Sequence, residues 1–145
     1  MIINNKWGQV AVVAFIALMG FLFVRRVKEL DREGMPTVSY LRQVSDEVAQ
    51  ALGVTDANEV NVVNKTTYLL VERDITSPRL TDAMVQKAVA QLNVEGWVKG
   101  KAKSNLETTL CKRYVIIDID KPDAPGASGY LGVNWGDAVV RCPSI

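Results

Sequence analysis

Apolar side chains are concentrated in one continuous block near the amino end, residues 8–24 (GQVAVVAFIALMGFLFV). The block carries no charge, and as a helix rising about 1.5 Å per residue its 17 residues extend roughly 25 Å, which is at the short end for a bilayer crossing. Trp7 before the block and Arg25 and Arg26 after it suit the membrane interface, because indole rings and long cationic side chains partition there. The pattern therefore predicts a transmembrane helix over residues 8–26.

This helix divides the chain into four predicted parts. Residues 1–7 form a short polar amino-terminal tail, residues 27–36 a charged juxtamembrane connector, and residues 37–145 a head domain. The alternatives for the apolar block are a buried core helix and a cleaved signal peptide. A core helix would need more surrounding chain than the remaining ~120 residues supply. A signal peptide would need a small-residue cleavage site after the block, where RRVKELDRE stands instead.

Two segments of the head have helical periodicity. In the first, Thr37 is a candidate N-cap, Gly53 is a stop signal, and apolar residues recur every three or four positions between them: Val38, Leu41, Val44, Val48 and Leu52. In the second, Ser77-Pro78 places a proline at the first helical position, and the helix is expected to end near Asn93. Its apolar stripe consists of Leu80, Met84, Ala88 and Leu92.

The remaining apolar segments have the composition of strands. Residues 59–73 are rich in β-branched and aromatic residues and form either one long strand or a hairpin that turns at Asn64-Lys65. Residues 97–104 and 108–120 are predicted as two strands joined by a short turn, and residues 130–134 as a last short strand. The order of elements predicts an α+β fold, a small and mostly antiparallel sheet with two helices on one face.

Composition and charge exclude several classes of function. Lysine and arginine total 17 and aspartate and glutamate 16, so the net charge of +1 argues against a nucleic-acid binder that works through bulk charge. Histidine is absent, which removes Ser-His-Asp catalysis and imidazole metal sites. No glycine-rich nucleotide motif occurs. We therefore expect a protein that is not an enzyme and has no cofactor, no metal site and no small-molecule substrate.

Cys111 and Cys142 are the only cysteines, and an even pair in a small domain predicts a disulfide and an oxidising compartment. Within the predicted strand 108–120, Cys111 is expected on the same face as Val115. The positive-inside rule conflicts with the disulfide, because the block is followed by four basic residues, Arg25, Arg26, Lys28 and Arg32, and preceded by Lys6. We expect the head outside the cytoplasm, with the cytoplasmic orientation as the alternative.

Two sets of residues are candidate contacts. Lys99, Lys101 and Lys103 alternate, so a strand would put three ammonium groups on one face, either to bind an anion or a partner or to protect an edge strand from unwanted pairing. Tyr130 and Trp135 lie beside a proline- and glycine-rich loop near the expected disulfide, where they either contact a partner or fill the core.

The architecture is similar to that of a type IV pilin, with an amino-terminal apolar helix that continues into a charged stretch, an α/β head and a cysteine pair near the carboxyl end. This resemblance implies a filament subunit that assembles through the apolar helix. The F-x-x-x-E motif of that family is absent, because Trp7-Gly8-Gln9-Val10 stands in the matching region and the block contains no glutamate. We therefore do not assign the chain to the pilins.

These observations together favour a single-pass, membrane-anchored structural or accessory protein. Its extracytoplasmic head is expected to bind other proteins of a larger envelope or virion-membrane assembly, and its partners are the lipid bilayer and those proteins. One alternative is a pilin-like filament subunit. A second is a histidine-free, metal-dependent, membrane-linked enzyme built on Asp118, Asp120 and Asp137.

Overall fold

The computed structural model describes residues 35–136 and 141–143, together with Ile16, Ala17 and Met19, which have helical backbone. The chain divides into two compact units, Met1–Met35 and Pro36–Ile145. Among the residues described, no helix is both long enough and apolar enough to cross a membrane. Nearly all of the predicted transmembrane helix 8–26 lies outside the described residues.

The predicted interface residues Trp7, Arg25 and Arg26 also lie outside the described residues. The same is true of Asp137, which belongs to the enzyme alternative.

The head has an α+β fold, as predicted, built on a six-stranded antiparallel sheet. The elements follow one another as α1 (Val38–Leu52), β1 (Asp56–Lys65), β2 (Tyr68–Ser77), α2 (Asp82–Val94), β3 (Val98–Lys99), β4 (Glu107–Lys112), β5 (Val115–Asp120) and β6 (Gly129–Trp135). The order across the sheet is β1-β2-β6-β5-β4-β3, so the last strand lies between β2 and β5.

Helix α1 forms where the sequence predicts it. The Thr37 side chain accepts a hydrogen bond from the backbone N–H of Tyr40, and Gly53 ends the helix in the left-handed conformation that glycine adopts most readily. The apolar stripe is buried apart from Val38, which is half-buried, and the helix packs against β2, β6 and α2. The capping residues and the apolar periodicity therefore predict the bounds of this element correctly.

Helix α2 begins later than expected, so the predicted start at Ser77-Pro78 is wrong. Ser77 is still paired with Asp56 in the sheet, and the peptide bond before Pro78 is cis. The N-cap is Thr81, whose hydroxyl accepts a hydrogen bond from the N–H of Met84. The helix therefore starts at Asp82, directly after its N-cap, and not at Pro78, because Ser77 still belongs to the strand.

Both long strand segments fold into hairpins. The turn between β1 and β2 is at Thr66 and Thr67 rather than at Asn64-Lys65. The segment predicted as one strand, 108–120, is two strands, because Arg113 adopts a positive φ of 54° in a tight turn between β4 and β5. The segment predicted as a strand over 97–104 pairs only at Val98–Lys99.

The sheet has two different faces. The face toward α1, here called the helix face, carries fully buried apolar side chains such as Val71, Ile117 and Val133, which are aligned on adjacent strands. The opposite face, here called the distal face, carries Cys111 and Asp118. The expectation that Cys111 shares a face with Val115 is therefore wrong, because the hairpin sets Cys111 opposite Ile116.

Candidate functional site: an arginine–carboxylate cluster on the distal face

Residues 141–143, here called the carboxyl-terminal segment, are bonded covalently to the distal face. Cys142 forms a disulfide with Cys111 of β4, with an S–S distance of 2.04 Å and a Cα–Cα distance of 5.8 Å. Cys111 and Ile116 are fully buried, and Cys142 packs against both. The predicted disulfide is confirmed, and it fixes the position of the residue that precedes Cys142.

That residue, Arg141, forms a buried ion cluster. Its Nη1 donates to Oδ2 of Asp118 at 2.7 Å and its Nη2 to Oδ1 of Asp118 at 2.8 Å, which is the bidentate arrangement of a strong arginine–carboxylate pair. Nη2 also donates to Oε1 of Glu107 and to Oγ1 of Thr109, the latter at 2.8 Å. The exposed fractions are 7% for Arg141, 8% for Glu107, 6% for Asp118 and 1% for Thr109.

The strand register brings the acidic partners together. Thr109 of β4 lies directly opposite Asp118 of β5. Glu107 is two residues before Thr109, so its side chain projects from the same face. Residues that are far apart in sequence therefore converge on the guanidinium because β4 and β5 form a tight hairpin.

The segment after β3 supports Arg141 through its backbone. The N–H of Lys101 donates to the carbonyl of Arg141 at 2.8 Å, and the N–H of Lys103 donates to Oε2 of Glu107 at 2.7 Å. Gly100 allows this approach, because a Cβ there would lie 2.7 Å from Sγ of Cys111 and 3.0 Å from the carbonyl oxygen of Arg141. The cluster thus connects β4, β5, the loop after β3 and the carboxyl-terminal segment.

The two carboxyls of the cluster have pKa values displaced in opposite directions. Burial raises the pKa of Asp118, and the hydrogen bonds from Arg141 only partly offset it. Burial also acts to raise the pKa of Glu107, but hydrogen bonds with Asp118, the N–H of Lys103 and Arg141 hold it below its usual range. The neighbouring Asp120 has a raised pKa because it is partly buried and lies near the charges of Glu107 and Asp118.

A second polar network adjoins the cluster. The Tyr130 hydroxyl donates to Oε1 of Glu72 at 2.8 Å, and Nδ2 of Asn61 donates to Oε2 of the same carboxylate at 2.7 Å. Gly132 lies opposite both Glu72 and Asp118, and a Cβ there would be 2.6 Å from the Tyr130 hydroxyl, so the ring of Tyr130 lies across Gly132. Burial raises the pKa of Tyr130 far above its ordinary value, and the hydrogen bond to the Glu72 carboxylate is the second cause of this increase.

The predicted contact residues are distributed over both faces. Tyr130 is half-buried on the distal face, whereas Trp135 pairs with Leu69 and Val115 on the helix face. Lys99 lies in β3, but Lys101 and Lys103 follow the strand, so the expectation that all three alternate along one strand is wrong. Their roles as contacts for a partner or an anion stay predictions.

Lys99 borders a cleft of about 250 Å³ beside α2. The other residues that line it are Val85, Gln86, Val89, Ala90, Asn93 and Thr108.

The cluster holds the carboxyl-terminal segment and the sheet together. Both oxygens of Asp118 accept hydrogen bonds from Arg141, so this carboxylate is engaged by a cation of the chain itself. Within the part of the chain that the structure describes, no group of three or more histidine, cysteine or acidic residues is arranged to hold a metal ion. The geometry therefore fixes the carboxyl-terminal segment on the sheet.

Comparison with protein-family models, curated proteins and solved structures finds no match.

The sequence reasoning missed Arg141, Glu107 and Thr109. A signal for them existed, because Glu107, Thr109 and Cys111 alternate and share one face of a strand. A disulfide from Cys111 to Cys142 then necessarily brings Arg141 near that face.

Proposed function

We propose that this chain is a single-pass, membrane-anchored structural protein whose extracytoplasmic head binds other proteins of a larger envelope or virion-membrane assembly. The observation that carries the proposal is the disulfide between Cys111 and Cys142, because such bonds persist in oxidising compartments and are rare in the cytosol. The uncharged block over residues 8–24 supports the anchor, since its length and composition suit a bilayer crossing.

The construction of the head supports a binding role over a catalytic one. Its most prominent polar side chains, Arg141, Glu107 and Asp118, bond to one another and are buried. A carboxyl-terminal segment that is held by both a disulfide and an ion cluster gives the distal face a fixed shape. A surface whose shape is fixed in advance binds a partner with less loss of conformational entropy.

The location of the head is tested by thiol accessibility in intact cells or particles. A membrane-impermeant maleimide should label the half-buried Cys142 only after reduction and without lysis, whereas the fully buried Cys111 should label only once the reduced head is also unfolded; the mass of the chain reports the labelling. Labelling that needs lysis but no reductant would place free thiols inside and would overturn the proposed orientation.

A single engineered cysteine makes the same test while the disulfide stays intact. Ser39 is exposed and Ser45 is fully buried on the same helix, α1. A Ser39→Cys chain should label from outside without reductant. Ser45→Cys is the matched control, which should label only after unfolding.

The binding role is tested by crosslinking the full-length chain in its native membrane. Recovery of one or more envelope or virion proteins, each lost when the chain is deleted, is the expected result. A chain that yields no crosslinked partner and runs as a monomer in detergent would contradict the proposal.

A further inference from the structure

Strand β1 is a long and unusually exposed edge of the sheet. It runs for ten residues, Asp56–Lys65, and within the part of the chain that the structure describes it pairs with β2 alone. None of its residues is fully buried; Val60 is 54% exposed, and Val62 and Val63 are half-buried. The other edge strand, β3, has only two residues. A long edge that exposes valines is a template for pairing with another chain.

The charges of β1 lie at its two ends in a self-complementary order. Asp56 is the first residue and Lys65 the last. In an antiparallel pair of β1 strands that sets position 56 opposite position 65, each Asp56 lies against Lys65 of the partner subunit. The same pairing occurs twice in such a dimer, because an interface with two-fold symmetry repeats every contact.

A bulge puts these two side chains on the same face. In a regular strand, residues nine positions apart project from opposite faces. In β1, Val60 is an extra residue between Glu59, which pairs with Arg73, and Asn61, which pairs with Glu72. The extra residue restores the alternation of side chains along β1. A second irregularity, next to Asp56, leaves Thr76 of β2 as the extra residue, and the Asp56 carboxylate accepts hydrogen bonds from Asn58 and Thr76. Asp56 and Lys65 therefore both project from the distal face. Residues that are paired across antiparallel strands must share a face, and this register meets that condition.

The side chains at both ends can form the additional contact. The Asp56 carboxylate accepts hydrogen bonds from Nδ2 of Asn58 at 2.9 Å and from the Thr76 hydroxyl at 2.7 Å. These bonds hold the carboxylate in place and leave acceptor positions for an ammonium group, since a carboxylate offers about four lone-pair sites. Lys65 is exposed and makes no ion pair with any other described residue.

We infer that β1 is a self-association edge, and that two copies of this chain pair β1 to β1 about a two-fold axis between Val60 and Asn61. The pairing merges two six-stranded sheets into one of twelve strands. It covers Val60 of each chain and supplies partners for the outer backbone groups of β1. The inference does not depend on the membrane anchor or on the compartment of the head, because it concerns β1 alone.

A zero-length crosslink tests the register directly. A carbodiimide joins a carboxylate to an amine only where the two are in contact. Within one chain Asp56 and Lys65 are nine residues apart along β1, about 30 Å, so they cannot be joined intramolecularly. Full-length chains labelled with ¹⁴N and ¹⁵N are mixed in detergent and crosslinked, and the peptides are analysed by mass spectrometry. We expect an Asp56–Lys65 crosslink with one light and one heavy peptide. Its absence, whether the chain is monomeric or dimeric, would overturn the inference.

Charge reversal provides a second test with an internal rescue. Lys65→Glu puts like charges opposite each other at both ends of the strand pair and should weaken self-association about tenfold by analytical ultracentrifugation. The double variant Asp56→Lys with Lys65→Asp restores opposite charges and should recover most of the affinity. Lys87→Glu on the exposed surface of α2 is the matched control and should change nothing. Equal dissociation constants for all these chains would place self-association elsewhere and overturn the inference.

Discussion

The buried cluster predicts a large and specific loss of stability when Arg141 is replaced by alanine. The substitution removes the only guanidinium that contacts Asp118 and Glu107 among the described residues, while both carboxylates stay in the fold. They are 6% and 8% exposed, so water reaches them poorly. Two partly uncompensated negative charges would then lie side by side on adjacent strands.

The expected magnitude follows from this burial. Breaking a buried ion pair by removing one partner lowers the free energy of unfolding by about 3–5 kcal/mol, because the remaining charge loses its compensation. A domain of this size has a total of about 5–15 kcal/mol, so the variant should unfold at much lower urea concentration. The disulfide is unchanged in Arg141→Ala, so the loss reports the ion cluster and not the covalent link.

The assay is urea unfolding of the full-length chain in detergent, followed by tryptophan fluorescence, since Trp97 is buried in the head. The matched control is Arg42→Ala. Arg42 makes the same two-point contact, with Nε and Nη2 each 2.9 Å from the Glu59 carboxylate, but its side chain is 46% exposed. The control should lose far less stability because solvent screens an exposed pair.

Two results would refute this reasoning. Equal losses in Arg141→Ala and Arg42→Ala would mean that burial does not set the strength of the pair. The same conclusion follows if Asp118→Asn, added to Arg141→Ala, recovers none of the lost stability, since the double variant removes one uncompensated charge.

Three further predictions concern the disulfide, pH and helix α1. Cys142→Ser opens a link between residues 31 apart in sequence and should lower the free energy of unfolding by about 3.5 kcal/mol in the chain-entropy model, measured by urea unfolding; a loss below about 1 kcal/mol would contradict that model here. Folding raises the pKa of Asp120, so the free energy of unfolding falls as pH rises through that pKa and the carboxyl ionises. Asp120→Asn should therefore be more stable than the parent in urea unfolding at pH 7, and the difference should vanish near pH 3, where the carboxyl is protonated in both states. Thr37→Ala removes the N-cap of α1 and should lower stability by about 1 kcal/mol, whereas the neighbouring exposed Ser39→Ala should not.

The sequence predicted the elements whose determinants are local. Helix α1 is specified by Thr37, Gly53 and an apolar stripe, all within one short segment. Composition allowed either one long strand or a hairpin over residues 59–73. The structure has the hairpin of β1 and β2, with its turn two residues later than the sequence predicted. The disulfide followed from a count of two cysteines in a small domain. The helix and the hairpin need only local sequence, and the disulfide needs only the number of cysteines, because a single pair allows a single connectivity.

The errors occurred where distant pairing decides the local conformation. Ser77-Pro78 has the sequence of a helix start, but Ser77 is held in the sheet by Asp56, about twenty residues earlier. The segment 108–120 has strand composition throughout, and only the left-handed conformation of Arg113 divides it. The turn sets Lys112 opposite Val115 and Cys111 opposite Ile116. Cys111 therefore shares a face with Ile116 and not, as expected, with Val115.

The ion cluster is the feature that local sequence was least able to predict. Sequence composition alone assigns Glu107, Asp118 and Arg141 to a solvated surface, because charged residues are seldom buried. They are buried because the hairpin brings the two acids together and the disulfide places the arginine beside them, two conditions that no single window of sequence contains. The carboxyl-terminal segment is thus an integral part of the head, held by a covalent bond and by charge. A partner that binds the distal face therefore meets β4, β5 and residues 141–143 as one surface, and truncating the chain before Arg141 would alter that surface rather than remove an appendage.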